Sequence, residues 1–180
     1  IRVANPRKRP RPRLPHAVSV TPRPQTDPYV TGLRMLARRE LFSIQIRERL
    51  VRKGFTENSV NDAIYRLCLE GAIDDRRAAA AYARYAAEIK SRGRRRTLRE
   101  LGEFGVNTND AQEAINEAYA GVSETVLLSR VLCRRLTGPI ETQVQFRRLY
   151  GALLRQGFEA SAVVVALKSK TALTPQFNDE

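Results

Sequence analysis

Three copies of one short pattern constrain this chain more than any other feature. They are Leu50-Val51-Arg52-Lys53-Gly54-Phe55, Leu101-Gly102-Glu103-Phe104-Gly105-Val106 and Leu153-Leu154-Arg155-Gln156-Gly157-Phe158. The glycines stand 51 and 52 residues apart. At the same offsets beyond each glycine come Val60, Ala63 and Ile64; Ala111, Ala114 and Ile115; Val163, Ala166 and Leu167. A repeat of about 50 residues marks a row of similar supersecondary units, each packed mainly on its neighbours. A row of units works as an extended surface, which points to binding before catalysis.

Each copy reads as a helix end, a turn and a second helix. Glycine just past a helix enters the left-handed region without a Cβ clash, and the next residue then meets the side chain four places before the glycine. Those pairs are Phe55 with Leu50, Val106 with Leu101 and Phe158 with Leu153, all apolar. Thr56 and Asn107 are fit to cap the following helices, and Glu159 is a weaker start. The spacing also predicts helices over 29–39 (Leu33, Leu36 and Ala37 inward), 74–91 (Ala78, Tyr82, Tyr85 and Ile89 inward) and 122–136. Gly138-Pro139 ends the last of these, with the proline suited to open the next helix. No stretch alternates as a half-buried strand would. The expected fold is all-α: an elongated tandem of three three-helix modules, about nine helices, over 28–73, 74–121 and 122–173, with a short tail at 174–180.

The net charge is +13, from 32 basic and 19 acidic residues. Residues 1–27 hold seven basic side chains (Arg2, Arg7, Lys8, Arg9, Arg11, Arg13, Arg23) against Asp27, together with six of the nine prolines. Such a segment is expected to be a disordered basic arm, with a reach of about 30 Å. It has no apolar core of the secretory kind, and its proline density argues against an amphipathic targeting helix. No window is long enough for a membrane span. The charge favours polyanionic partners. Cys68 and Cys133 each sit in an apolar helical run and are expected to be buried, reduced thiols, with no metal site.

Catalytic groups are missing. The sole histidine, His16, lies in the arm, where a general base has no fixed geometry. There is no phosphate-binding glycine loop and no dinucleotide fingerprint, so no cofactor is expected. Asp74-Asp75 reads as the cap and first-turn charge of the following helix. A salt bridge across a module junction, to Arg77 or a neighbouring arginine, is the alternative.

The densest cationic segment is Lys90, Arg92, Arg94, Arg95, Arg96 and Arg99, with no acid among them. Arg94, Arg95 and Arg96 open a helix, where they oppose the dipole by a few tenths of a kcal/mol each. An anion docked on that helix end would reverse the opposition. Lesser basic groups recur near the other turns: Arg49, Arg52 and Lys53, beside Arg47, and Arg147 and Arg148, beside Arg155. Together these supply a candidate surface for DNA or an acidic partner.

Gly71-Ala72-Ile73-Asp74-Asp75-Arg76-Arg77, with Tyr82 downstream, resembles the Gly-Tyr-Leu-Asp-Asp-x-Arg-Phe segment of the RecX regulatory proteins. Gly93-x-x-Arg96-x-x-x-Glu100-Leu101-x-x-x-Gly105 resembles that family's next helix, and Arg38-Arg39-Glu40 with Ile46 and Leu50 its opening helices. The likeness spans about residues 28–170. The chain departs from the family pattern at Phe42 (usually Ser), Gln45 (Glu), Ala78 (Phe), Thr97 (Ile or Leu) and Phe104 (Lys or Arg), and carries one extra residue within 86–93. The resemblance implies a cytoplasmic, monomeric, non-enzymatic regulator of the RecA recombinase. Such a protein lies in the groove of the RecA–single-stranded-DNA filament without sequence preference and inhibits strand exchange, ATP hydrolysis and co-protease activity. Two other readings remain open on the residues: a sequence-specific helix-turn-helix protein, permitted by three-helix units with a glycine turn, and a protein-docking scaffold without DNA affinity.

Overall fold

The computed structural model describes residues 27–172, and these hold nine helices and no strand. They are α1 (Pro28–Leu36), α2 (Ser43–Arg52), α3 (Glu57–Leu69), α4 (Asp75–Glu88), α5 (Arg94–Glu103), α6 (Thr108–Tyr119), α7 (Glu124–Arg135), α8 (Gln143–Arg155) and α9 (Ala160–Lys168). The expected arm (but for Asp27) and the tail at 174–180 lie outside the described residues.

The repeat glycines do what their spacing implies. Gly54, Gly105 and Gly157 have φ of 91°, 80° and 87°. At each, the residue after glycine donates its N–H to the leucine carbonyl: Phe55 to Leu50 (3.3 Å), Val106 to Leu101 (3.1 Å), Phe158 to Leu153 (3.4 Å). The glycine itself donates to Val51, Gly102 or Leu154 at 2.8–3.0 Å. This paired closure satisfies carbonyls that a helix end otherwise leaves unpartnered. All three leucines are fully buried. A fourth turn of the same build, missed by the repeat, ends α3: Ala72 donates to Leu67 (2.9 Å) across Gly71, whose φ is 69°.

The extensive helix contacts fall within three triplets, α1–α3, α4–α6 and α7–α9. The first triplet has its own core, of Leu41, Ile46, Leu50, Val60, Ile64, Leu67 and Ile73. The second and third share one. Phe42 crosses over. It is buried in the shared core, stacked on Phe104 (centroids 4.6 Å apart, planes at 17°), with Tyr82 edge-on to both. Ala78 is buried in the same core.

Three expectations need correction. Tyr85 and Ile89 point outward; α4 turns the expected Ala78 inward together with Ala79, Ala83, Ala86 and Ala87, side chains small enough for α6 to lie close. Pro139 opens no helix. Ile140 is fully buried and pairs with Thr171 in an isolated parallel bridge, which needs extended backbone, and α8 starts only after Thr142, whose hydroxyl accepts from Gln145 N (3.2 Å). Cys68 and Cys133 are exposed; they follow the inward residues Leu67 and Leu132, one step round the helix to the outer face.

Candidate nucleic-acid interface

The cationic segment surrounds the start of α5, and the fold gives its members different tasks. Glu100, one α5 turn beyond Arg96, sits largely buried between two arginines. Arg96 Nε donates to Glu100 Oε1 at 2.8 Å, Arg92 Nη1 pairs with Oε2, and Tyr82 OH donates to Oε2 at 2.7 Å. Arg92 Nη1 also donates to Tyr82 OH (2.7 Å). Burial works to raise the Glu100 carboxyl, but the hydrogen bonds from Arg96 and Tyr82 and the two guanidinium charges outweigh it, so its pKa lies below the ordinary value. Tyr82 is pushed up to about 12, by burial first and then by its bond to Glu100.

Arg94 donates to the Tyr119 carbonyl (3.1 Å) and lies over that ring at 5.4 Å. Tyr119 OH donates to Arg92 O (2.9 Å) and lies 2.8 Å from the buried Thr97 hydroxyl, which gives that buried polar group a partner. Arg92, Arg94 and Arg96 therefore hold the second triplet together. The expectation of an arginine segment free of internal carboxylates fails: Arg92 and Arg96 share the largely buried Glu100, and Arg95 and Arg99 also meet carboxylates, at the surface. The dock for an anion on the α5 N-terminus is also occupied: a Cβ built on Gly157 would come within 2.3 Å of Arg96 N.

The other members face outward. Arg95 pairs with Glu159 of the third triplet at 2.5 Å with its side chain 69% exposed, and Arg99 reaches Glu103 at 3.6 Å, 64% exposed. Lys90 lies over the Tyr85 ring at 5.5 Å. Exposed ion pairs of this kind contribute about 0–1 kcal/mol and yield readily to a stronger anion. Among the described residues, Arg49, Arg52, Lys53, Arg147 and Arg148 make no ion pair; all are exposed but Arg49, which is half-buried. The eleven candidates do not converge on one point but are spread over all three triplets.

Asp74 and Asp75 act as helix caps, and the salt bridge that crosses the junction to Arg77 is made by Glu40 instead; Asp74 approaches Arg77 only within the start of its own helix, at 3.7 Å. Asp74 caps α4 by accepting from Arg77 N (2.9 Å). Arg77 Nε crosses the junction to Glu40 at 2.5 Å. Asp75, on α4, accepts from Ser43 N (2.8 Å) and Ser43 Oγ (2.6 Å), and so caps α2, which has no side-chain cap of its own. Among the described residues no cluster of His, Cys, Asp and Glu could hold a metal ion, and no helix is long and apolar enough to cross a membrane.

No protein-family model matches the chain. It is 32% identical over 148 residues to Regulatory protein RecX of Syntrophotalea carbinolica, covering 78% of this chain and 94% of that protein. It is 27% identical over 144 residues to Regulatory protein RecX of Trichlorobacter lovleyi, covering 77% and 92%. The crystal structure of RecX from Lactobacillus salivarius superposes with a TM-score of 0.58 at 16% identity, over 79% of this chain and 93% of that one. A second crystal structure, of a regulatory protein RecX, gives 0.63 at 20% identity, over 79% and 70%. At these identities the two structures show the shared all-helical fold.

Proposed function

The chain belongs to the RecX family of regulatory proteins, and on that premise we propose that it inhibits the RecA recombinase by lying in the groove of the RecA–single-stranded-DNA filament. It acts there as a cytoplasmic monomer, without catalysis and without reading base sequence, and so restrains strand exchange, ATP hydrolysis and co-protease activity. The observation that carries this reading is the row of three helical triplets with outward cations on every one. A groove binder needs length and distributed contacts, and a repeat supplies both. Lys90, Arg95 and Arg99 of the second triplet, Arg49, Arg52 and Lys53 of the first, and Arg147 and Arg148 of the third would meet DNA phosphate or acidic filament surface. Arg92, Arg94 and Arg96 would act through the fold.

The helix-turn-helix alternative asks the helix after a turn to enter the major groove. The outer face of α6 carries Glu113 and Glu117, paired with Arg76 (2.6 Å) and Arg84 (3.4 Å) of α4. The outer face of α3 carries Glu57 and Asp62, both exposed. These acids of α3, unpaired among the described residues, are repelled by phosphate, and the α6 acids are already matched by arginines, so neither helix offers a cationic face to a groove.

The test is the double substitution Arg95→Ala with Arg99→Ala, which spares the buried network. Helix content should not change, and inhibition of single-strand-dependent ATP hydrolysis by RecA should weaken. If both residues meet strand phosphates, the salt dependence of strand binding falls by about 1.4 in log–log slope. Inhibition and salt slope both equal to wild type would reject the assignment. Preference for one duplex sequence would favour the helix-turn-helix reading.

A further inference from the structure

Where the arginines of α5 find carboxylates or rings, those at the far ends of α1 and α2 do not. Arg34, Arg38 and Lys53 line a cavity of about 480 Å³ whose remaining wall is Thr31, Met35 and Phe55. All three cations are exposed, and among the described residues none makes an ion pair or a side-chain hydrogen bond. A second group of cations adjoins them. The Arg49 guanidinium has its pKa lowered by burial first, then by the charges of Arg39 and Arg52, with only Glu48 opposing. Six cations (Arg34, Arg38, Arg39, Arg49, Arg52 and Lys53) therefore lie at or just past the C-terminal ends of α1 and α2. The negative ends of α1 and α2 make cations tolerable at that place. They do not explain why three of them frame an open cavity with an aromatic ring and a thioether in its wall.

That combination is the chemistry of a single-stranded nucleic-acid subsite: cations for the backbone, and a flat apolar surface for a base that has no partner. We propose that the cavity between the C-terminal ends of α1 and α2 binds one nucleotide unit of a single strand, its phosphate held by Arg34, Arg38 and Lys53 and its base against Phe55 and Met35. Lys53 and Phe55 also line a neighbouring cavity of about 390 Å³ with Asp27, Pro28, Gly54, Thr56 and Ser59. A strand leaving the first cavity passes through the second. Asp27, the acid on that path, is engaged as the cap of α1, accepting from Tyr29 N at 2.9 Å. The site recognises no base in particular, because every base offers a π-face to Phe55 and an apolar contact to Met35. This rests on the reading above that the protein meets single-stranded DNA, and it adds a subsite on a triplet remote from α5.

The test uses the full chain and two probes of equal length, a labelled oligothymidine and its abasic counterpart. The triple variant Arg34→Gln, Arg38→Gln, Lys53→Gln keeps chain length and should keep helix content, since the three side chains are exposed and, among the described residues, make no ion pair. Its Kd for oligothymidine should rise at least about tenfold at low salt, with the log–log salt slope lowered by about 0.7, the share of the one phosphate the three cations hold. Phe55→Leu keeps the apolar contact with Leu50 and removes the ring. It should weaken oligothymidine binding about fivefold or more and leave the abasic strand unchanged. Unaltered affinity and slope in the triple variant overturn the subsite. A Phe55→Leu variant that binds both probes as wild type does overturns the base contact. Should Arg95→Ala with Arg99→Ala lose strand binding while the triple variant keeps it, the filament reading stands and this cavity is excluded. Failure of the wild-type chain to bind either probe removes both.

Discussion

The two junctions between triplets are made of different parts of the chain. Between the first and second triplets the bonds run through side chains: Asp75 to Ser43, Arg77 to Glu40, and Phe42 set between Phe104 and Tyr82. Between the second and third they run through backbone. Gly93 N donates to Gln156 O at 2.9 Å, and a Cβ on Gly93 would stand 2.1 Å from Gly157 O. Arg134 Nη2 to Ser91 Oγ (2.7 Å) and Arg95 to Glu159 are added at the edge. Backbone contact at a glycine pair leaves no rotamer to adjust, so the second and third triplets share a core and should open together. Side-chain contact can loosen, and the first triplet keeps a core of its own. The part with uncompensated cations is thus also the part joined more softly to the rest.

The largest effect is expected from Gly157→Ala, which combines a φ of 87° with a Cβ 2.3 Å from Arg96 N and 2.6 Å from its Cβ. Overpacking against backbone together with left-handed strain should destabilise by about 3–5 kcal/mol, read from urea unfolding. Gly105→Ala sharpens the comparison. Its φ is 80°, yet nothing lies within 4 Å of the added carbon, so only the conformational part of about 1–2 kcal/mol is expected. Equal losses at the two glycines would mean that the backbone contact carries no energy.

Phe42→Ala comes next. It should cost about 3 kcal/mol or more and separate unfolding of the first triplet from that of the other two, seen as two hydrogen-exchange classes. A single cooperative loss would show that the junction is rigid.

Glu100→Gln is expected to cost about 2 kcal/mol at neutral pH, since Arg92 and Arg96 lose a largely buried charged acceptor. Its pH dependence has a definite sign. A carboxyl held below its ordinary value of 4.5 stabilises fully above that value and loses the contribution as pH falls through the lower folded one. Wild type should therefore lose stability more steeply than the variant below about pH 4.5. Parallel acid profiles would place the network's energy elsewhere.

The elements of this fold were legible where one local rule governs. Leucine, glycine and an apolar residue at fixed offsets gave the turns, and Asp74, Thr56 and Asn107 cap the helices that they precede. The start of α8 was not legible, because burial of Ile140 overrides the preference of Pro139 for a first helical turn. The site was half legible. The spacing of Arg96 and Glu100 is that of a helical ion pair, and it alone could have shown that this arginine is engaged. Arg95 with Glu159, 64 residues apart, leaves no local trace. Nor does Gly157 covering the start of α5, since it follows from how the third triplet docks. Long cationic side chains fold back on whatever carboxylate the tertiary structure brings near, so a dense run of arginine in sequence overstates the charge open to a partner. Arg34, on α1, and Arg38, just past its end, cannot be read from sequence as part of a site for the opposite reason: their convergence with Lys53 is made by the fold.

Hydrogen exchange of the full chain, alone and on assembled RecA–single-stranded-DNA filaments, tests the central claim most directly. Protection gained in all three triplets, around the ends of α2, α5 and α8, is the expected result. Protection confined to one triplet, or none at saturating filament, would contradict a grip distributed along the row.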